Sequence, residues 1–271
     1  MNAHLPPRTL PATSAGLQLR MLRRQADLSQ LDLALITGMS QRHISCIETG
    51  RARPSPATLH ALLMALEAPL EQCNNLFLAA GYAPRYGSLP LTSPSLEAIR
   101  SAIGHVLQAN NPAPAIVLGS QWQVMAANAS TAALFALLGL PANATDELNL
   151  LVTLLQPGGL GDHLLNADEI RSVAWQRASR EALENPELAT LLAGLPMPSG
   201  PASLANDAPP LVMTHIDSPE GQLSFLSTFT TFGMPLDITV ASLRIEHLIP
   251  ADPHTWQVMT QAYENSIRPS T

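Results

Sequence analysis

The 271-residue chain has no lysine, two cysteines, and an aromatic content of 4%. All 14 basic residues are arginine, so any phosphate contact falls to guanidinium groups and polar donors. Two cysteines, Cys46 and Cys73, are too few for a disulfide framework. The N-terminal residues are proline-rich and lack the basic-then-apolar pattern of a secretory signal. No apolar run reaches the roughly 18 residues needed to cross a bilayer. These absences lead to the expectation of a soluble, cytoplasmic protein without membrane insertion. Scarce aromatics also mean that any internal cavity must be walled mostly by Leu, Val, Met and Ala.

Catalytic and metal signatures are missing as well. The eight histidines are scattered, none lies in a His-x-x-x-His pattern with a carboxylate, and neither cysteine pairs at a zinc-finger spacing. Pro157-Gly158-Gly159-Leu160-Gly161 is no phosphate loop, because the required Gly-Lys-Ser/Thr is absent. There is no Gly-x-Ser-x-Gly elbow. The expectation is a non-enzyme with no metal, although a catalytic unit fused to a regulatory head stays open as a less favoured alternative.

What is present is unevenly distributed. The formal net charge is −7, yet residues 1–85 hold eight arginines against five acids. A mildly basic head on an acidic body fits a chain in which one domain meets phosphate. Pattern and punctuation divide the chain into a flexible arm (1–13), an all-α five-helix domain (14–81) and a Gly/Pro/Ser-rich linker (82–94). A second domain (95–258) and a C-terminal tail (259–271) follow. The second domain reads as α+β with a mostly antiparallel sheet. Its helices are expected at 95–110, 128–138 and over much of 146–195. Strands are expected at 115–118, 123–126, 211–216, 223–231 and 238–243, with Ser218-Pro219-Glu220-Gly221 as a hairpin turn. Residues 196–210 read as a loop.

The most informative segment runs from Leu28 to Glu48. Ser29 can cap a helix whose inward face carries Leu33, Ala34 and Ile36. Gly38 stands where a left-handed residue would end that helix, and Ser40 can cap the next. The second helix turns Ile44 and Ile47 inward. Gln41, Arg42, His43, Ser45 and Cys46 are left on or near its outer face, as in a helix that enters a major groove. An amide at Gln41 suits adenine and a guanidinium at Arg42 suits guanine. Gln30 is placed to touch a phosphate and to buttress the recognition helix, and the loop Gly50-Arg51-Ala52-Arg53-Pro54 to grip the DNA backbone.

These residues have the spacing of a known family. Leu19-Arg20-x-x-Arg23, Leu28-Ser29-Gln30, Leu33-Ala34, Gly38-x-Ser40, Ile44-Ser45-x-Ile47-Glu48-x-Gly50-Arg51 and Pro54-Ser55 together resemble the Cro/repressor (XRE-type) helix-turn-helix family. The resemblance implies a five-helix domain that binds operator double-stranded DNA, usually as a homodimer. It implies base contacts from Gln41, Arg42 and Cys46 and phosphate contacts from Gln30, Arg51 and Arg53. It also implies a structural ion pair between Arg23 and Glu48. Cys46 departs from the usual polar residue, since a thiol is a poor donor and suits at most a thymine methyl.

The remainder resembles the MmyB-like regulator ligand-binding domain, which has a PAS-like fold. The matching residues include Ala115-Ile116-Val117, Trp122-Gln123-Val124, Asn128-Ala129, Pro157-Gly158-Gly159 and Asn166. Thr231-Phe232-Gly233-x-Pro235-x-Asp237, Leu243-Arg244-Ile245-Glu246 and Pro250-Ala251-Asp252 follow. The resemblance implies an apolar cavity and a fatty-acid-like small molecule rather than a tightly held cofactor. Phe135, Leu138, Trp175, Met213, Phe225 and Phe229 lie on apolar faces of the expected elements and are the candidate ligand contacts. Each can equally be plain core, and a PAS-like sheet can also serve only for dimerisation.

Overall fold

The computed structural model describes residues 14–140, 148–183, 185–198, 211–233 and 235–268. The expected arm at 1–13 and most of the expected loop at 196–210 lie outside them. The chain divides into two compact units, residues 1–89 with 235–238, and residues 90–234 with 239–271.

The first unit is helical: α1 (Ser14–Gln25), α2 (Gln30–Thr37), α3 (Gln41–Glu48), α4 (Pro56–Ala65) and α5 (Leu70–Ala79). Sequence punctuation sets its breaks. Ser29 caps α2 in a reciprocal box, accepting from the Asp32 N–H while Asp32 Oδ2 accepts from the Ser29 N–H. Gly38 ends the helix at φ +68°, a conformation that costs a residue with a Cβ and suits glycine. Ser40 and Ser55 cap α3 and α4 in the same way. The core is built from Leu19, Leu33, Ile44, Ile47, Leu59, Leu62 and Leu63, all essentially inaccessible. Burying each such side chain stabilises by about 1.5–3 kcal/mol.

Two expectations change here. Ile36, placed inward by its spacing, is 57% exposed, because Leu33 and Ala34 already fill the α2 interface. The linker expected at 82–94 is partly domain. Tyr82 and Tyr86 pack on the helical core, and Asn74 Oδ1 accepts from the N–H groups of Arg85 (2.8 Å) and Tyr86 (3.0 Å). Residues 235–238 complete this unit from far along the chain. The Ile238 N–H donates to Gly87 O at 2.8 Å, and the Leu89 N–H to Asp237 Oδ2 at 3.0 Å.

The second unit holds a five-stranded antiparallel sheet in the order β2-β1-β5-β4-β3. The strands are β1 (Ala115–Leu118), β2 (Val124–Ala127), β3 (Met213–Ser218), β4 (Gly221–Thr231) and β5 (Arg244–Pro250). The helices are α6 (Glu97–Asn110), α7 (Ala129–Leu137), α8 (Leu150–Leu155), α9 (Ala167–Ala182), α10 (Pro186–Ala193), α11 (Ile238–Ser242) and α12 (Pro253–Ile267). The strand order and flanking helices make this an α+β, PAS-like domain. The hairpin β3–β4 turns at Pro219-Glu220, with Ser218 opposite Gly221 and the glycine at φ +96°.

The strand expected at 238–243 is instead the short helix α11, and the central strand β5 starts just after it, at Arg244. Ile-Thr-Val is β-prone in isolation, but tertiary context overrides that preference. The expected tail at 259–271 is largely the second half of α12, anchored by the fully buried Met259.

Each face of the sheet has its own packing. Leu243, just before β5, and Ile245 within it join Ala115, Val117, Ile103 and Leu107 on one side. The opposite side carries the larger core, with Leu118, Leu134, Leu151, Ile216, Leu223 and Phe225 among its buried members.

Candidate nucleic-acid interface and ligand cavity

In the helical unit, α3 is an amphipathic helix with one face locked. Ile44, Ile47 and Glu48 are buried, whereas Ser40, Gln41, Arg42 and His43 are exposed and Ser45 and Cys46 half-buried. The Ser40 hydroxyl accepts from the His43 N–H at 3.2 Å, so its side chain shapes the exposed start of the helix. Gln41 and Arg42 therefore present an amide and a guanidinium at the end of α3 where the helix dipole is positive.

The base of α3 is held by a buried ion pair. Arg23 Nε donates to Glu48 Oε1 at 2.6 Å and Nη2 to Oε2 at 2.9 Å, while Nη1 donates to Leu28 O at 2.7 Å. Burial pushes the Glu48 carboxyl upward, but the hydrogen bonds from Arg23 and Gln30, with the charge of Arg23 and Arg20, outweigh it. They hold the carboxyl below its ordinary value. Gln30 takes part in this cluster: its Nε2 donates to Glu48 Oε2 at 2.8 Å. The amide thus buttresses α3, one of the two roles expected of it.

Arg53 is engaged within the unit. Its Nε donates to Ala80 O at 3.1 Å and Nη2 to Gly81 O at 3.3 Å, with the guanidinium carbon 4.7 Å from the Tyr82 ring centroid. The Tyr82 hydroxyl returns a hydrogen bond to Pro54 O at 2.9 Å. Arg53 satisfies carbonyls that end α5 and clasps the loop after α3 to that helix. Arg51, in the same loop, is exposed.

The second unit contains an apolar cavity of about 80 Å³ between the sheet and α7 to α9, walled by Ile116, Val124, Leu134, Phe135, Leu154 and Leu248 among others. Of the six candidate ligand residues, Phe135 lines this cavity. Leu138 and Phe225 are buried in the adjoining core and do not line it. Trp175 packs partly buried against that core. Met213 precedes the lining residue Thr214 on β3, and alternation turns its side chain to the other face. Its carbonyl accepts from Asn166 Nδ2 at 2.8 Å, which explains the asparagine better than any ligand role. Phe229 is 43% exposed beneath the Arg177 guanidinium, 3.9 Å from the ring centroid.

Two features of this unit escape the apolar-face search. Glu246 lines the cavity and is the one acidic or basic side chain among the described residues that do so. Its signal is an acid alternating with Ile245 and His247 on a strand that ends in Leu248-Ile249-Pro250. Arg244, two residues earlier, is buried over the Trp122 ring (4.3 Å to the centroid). Its Nη1 donates to both oxygens of Glu181, which also accepts from Trp122 Nε1 at 2.7 Å.

No group of three or more His, Cys, Asp or Glu suited to a metal occurs among the described residues, and none of their helices is long and apolar enough to cross a membrane.

Comparison with known proteins places both units. Residues 14–76 match the helix-turn-helix domain model, and residues 99–262 match the MmyB-like transcription regulator ligand binding domain. The uncharacterized HTH-type transcriptional regulator RghRB of Bacillus subtilis (strain 168) is 46% identical over 68 residues, 25% of this chain and 47% of its own length. The HTH-type transcriptional repressor RghR of the same organism is 44% identical over 70 residues, 26% of this chain and 50% of its own. The chain thus spans about half the length of these curated relatives. A solved RNA-binding light-oxygen-voltage receptor aligns over 94% of this chain and 63% of its own, at 11% identity and a TM-score of 0.29, too remote to carry an argument. With the family model covering residues 99–262 behind a helix-turn-helix domain, the chain belongs to the MmyB-like transcription regulators.

Proposed function

We propose that this chain binds operator DNA in a sequence-specific manner as a homodimer, and that a small apolar or amphipathic ligand in the second unit modulates the binding. The observation that carries the DNA reading is the exposed Gln41-Arg42-His43 at the start of α3, on a helix fixed from beneath by Ile44, Ile47 and the Arg23–Glu48 pair. Arg42 pairs with a guanine edge, Gln41 with adenine, and Arg51 with a phosphate. Two such helices read half-sites about 34 Å apart on a palindromic operator. One of the relatives being a transcriptional repressor supports the regulatory reading. The apolar cavity supports ligand control, and a difference of about 1–3 kcal/mol in coupling is enough to switch occupancy. The ligand is fatty-acid-like in pairing an apolar body with one polar group. At about 80 Å³ the cavity takes a compact body, and a long acyl chain requires its leucine walls to part.

The test is selection of bound sequences from a random duplex library with the full chain and with Arg42→Ala. The expected result is a palindromic preference in the wild type. The variant should lose about 1–3 kcal/mol and relax its choice at one position of each half-site. Binding without any sequence preference would overturn the reading, and an unchanged preference in Arg42→Ala would remove Arg42 from base contact.

A further inference from the structure

The cavity wall is almost wholly hydrocarbon, which makes its polar groups decisive. Thr131 is already committed: its hydroxyl lies 3.0 Å from Ala115 O and 2.9 Å from Asn128 Oδ1, and its oxygen accepts from the Ala115 N–H at 3.1 Å. Thr214 on β3 adds a second hydroxyl to the wall. Among the described residues Glu246 receives one bond, from Ser227 Oγ to its Oε1 at 2.9 Å. Ser227 stands two residues before Phe229, the cross-strand partner of Glu246, so both side chains share the cavity face of the sheet. The cations nearest in the fold do not line the wall. Arg244 gives its Nη1 to Glu181 and keeps its Nε and Nη2 buried without a partner among the described residues, and Arg177 pairs with Glu181 at 3.0 Å while covering Phe229.

Resting on the reading of this cavity as the ligand site, we infer that Glu246 receives the ligand's polar group. It selects a compact, uncharged apolar molecule with one hydroxyl, in the class of short primary alcohols, over the carboxylate of the same chain. A hydroxyl both donates and accepts, so it pairs with the Glu246 carboxyl in either protonation state. A carboxylate cannot. With one proton between the two carboxyl groups a negative charge remains in an apolar cavity with no cation on its wall, and neutralising it takes a second proton that the ligand must draw from solvent at neutral pH, so either route is costly. Burial pushes the Glu246 carboxyl up, against the hydrogen bond from Ser227 and the charges of Arg244 and Arg177, in keeping with a site that disfavours negative charge. Size narrows the class further, because an apolar cavity that holds benzene measures roughly 150 Å³ and this one about 80 Å³.

Methyl-detected NMR titration of the full chain with 1-butanol and with butanoate at neutral pH tests the inference. The wild type should bind 1-butanol with shifts at Ile116, Leu134 and Leu248, and butanoate at least about tenfold more weakly. Glu246→Gln, which keeps the shape and removes the charge, should narrow that ratio. Equal binding of the two probes to the wild type, or a ratio unchanged in Glu246→Gln, overturns the role of Glu246 while leaving the cavity as a ligand site. Absence of shifts at the cavity methyls with either probe overturns both the inference and the cavity reading beneath it.

Discussion

Arg23 and Glu48, 25 residues apart, form a two-pronged ion pair with both side chains almost fully buried. The pair ties the last turn of α1 to the last turn of α3, so the helix bearing Gln41 and Arg42 is set by a contact at its opposite end. Arg23→Ala strands a buried carboxylate and should cost about 3–5 kcal/mol. Chemical denaturation followed by helix signal measures it.

The same pair gives a pH dependence. The Glu48 carboxyl titrates lower when folded than unfolded, so its stabilisation is complete above the unfolded value, about 4.3, and is lost as pH falls through the folded one. Thermal midpoints of the wild type should therefore drop on acidification below that point. Glu48→Gln should be less stable at neutral pH and show a shallower acid loss. Parallel acid profiles for the two proteins would contradict this.

Gly16 lies where α1 meets the end of α3. A Cβ built there would stand 2.6 Å from Ile47 O and 2.9 Å from Glu48 O, both backbone atoms. Alanine gains about 1 kcal/mol of helix propensity over glycine, but the overlap costs about 1–3 kcal/mol. Gly16→Ala should lower stability despite the better helix former, and a raised melting temperature would show that α1 can shift.

Arg51 and Arg53 are separated by one residue and should behave differently. Arg51→Ala should weaken binding to all DNA sequences and reduce the slope of affinity against salt by about one unit. Arg53→Ala should instead lower the melting temperature, through loss of the Ala80 and Gly81 contacts, with a smaller change in salt slope. Fluorescence anisotropy across a salt series separates the two.

The cysteines differ too. Cys73 is buried, its thiol donates to Ala68 O at 3.4 Å, and burial pushes it up to about 11. Cys46 is half-buried on α3. Brief alkylation of the native protein followed by peptide mass mapping should label Cys46 and spare Cys73. Equal labelling would mean that α5 opens readily.

Local chemistry made the helical unit readable. Ser29, Gly38 and Ser40 act on their immediate neighbours, so their roles depend little on the rest of the fold. Ile36 was misplaced because helical spacing allows two inward faces on a two-turn helix, and only packing against α3 and α4 chooses between them. In the sheet domain the difficulty lay at Ile238–Pro250. A β-branched apolar run became α11, whereas Arg-Ile-Glu-His-Leu-Ile-Pro, with charge on one face, became the central strand. Its acid is supported by a hydrogen bond from Ser227 on the neighbouring strand, which no local pattern encodes. The aliphatic character of the cavity wall follows from a chain poor in aromatics, but which apolar residues reach it does not: Phe135 does, and Glu246 lies on a strand whose position the sequence pattern misses.

The return of residues 235–238 to the helical unit bears on how genetic data from this chain are to be interpreted. A stop codon anywhere between 90 and 234 removes Asp237 and Ile238, which cover Gly87 and Leu89 and adjoin the helical core. Such an allele injures the head as well as deleting the sensor. A loss-of-binding phenotype from truncation is therefore no proof that the sensor activates the head, and a point substitution in the cavity is the cleaner lesion.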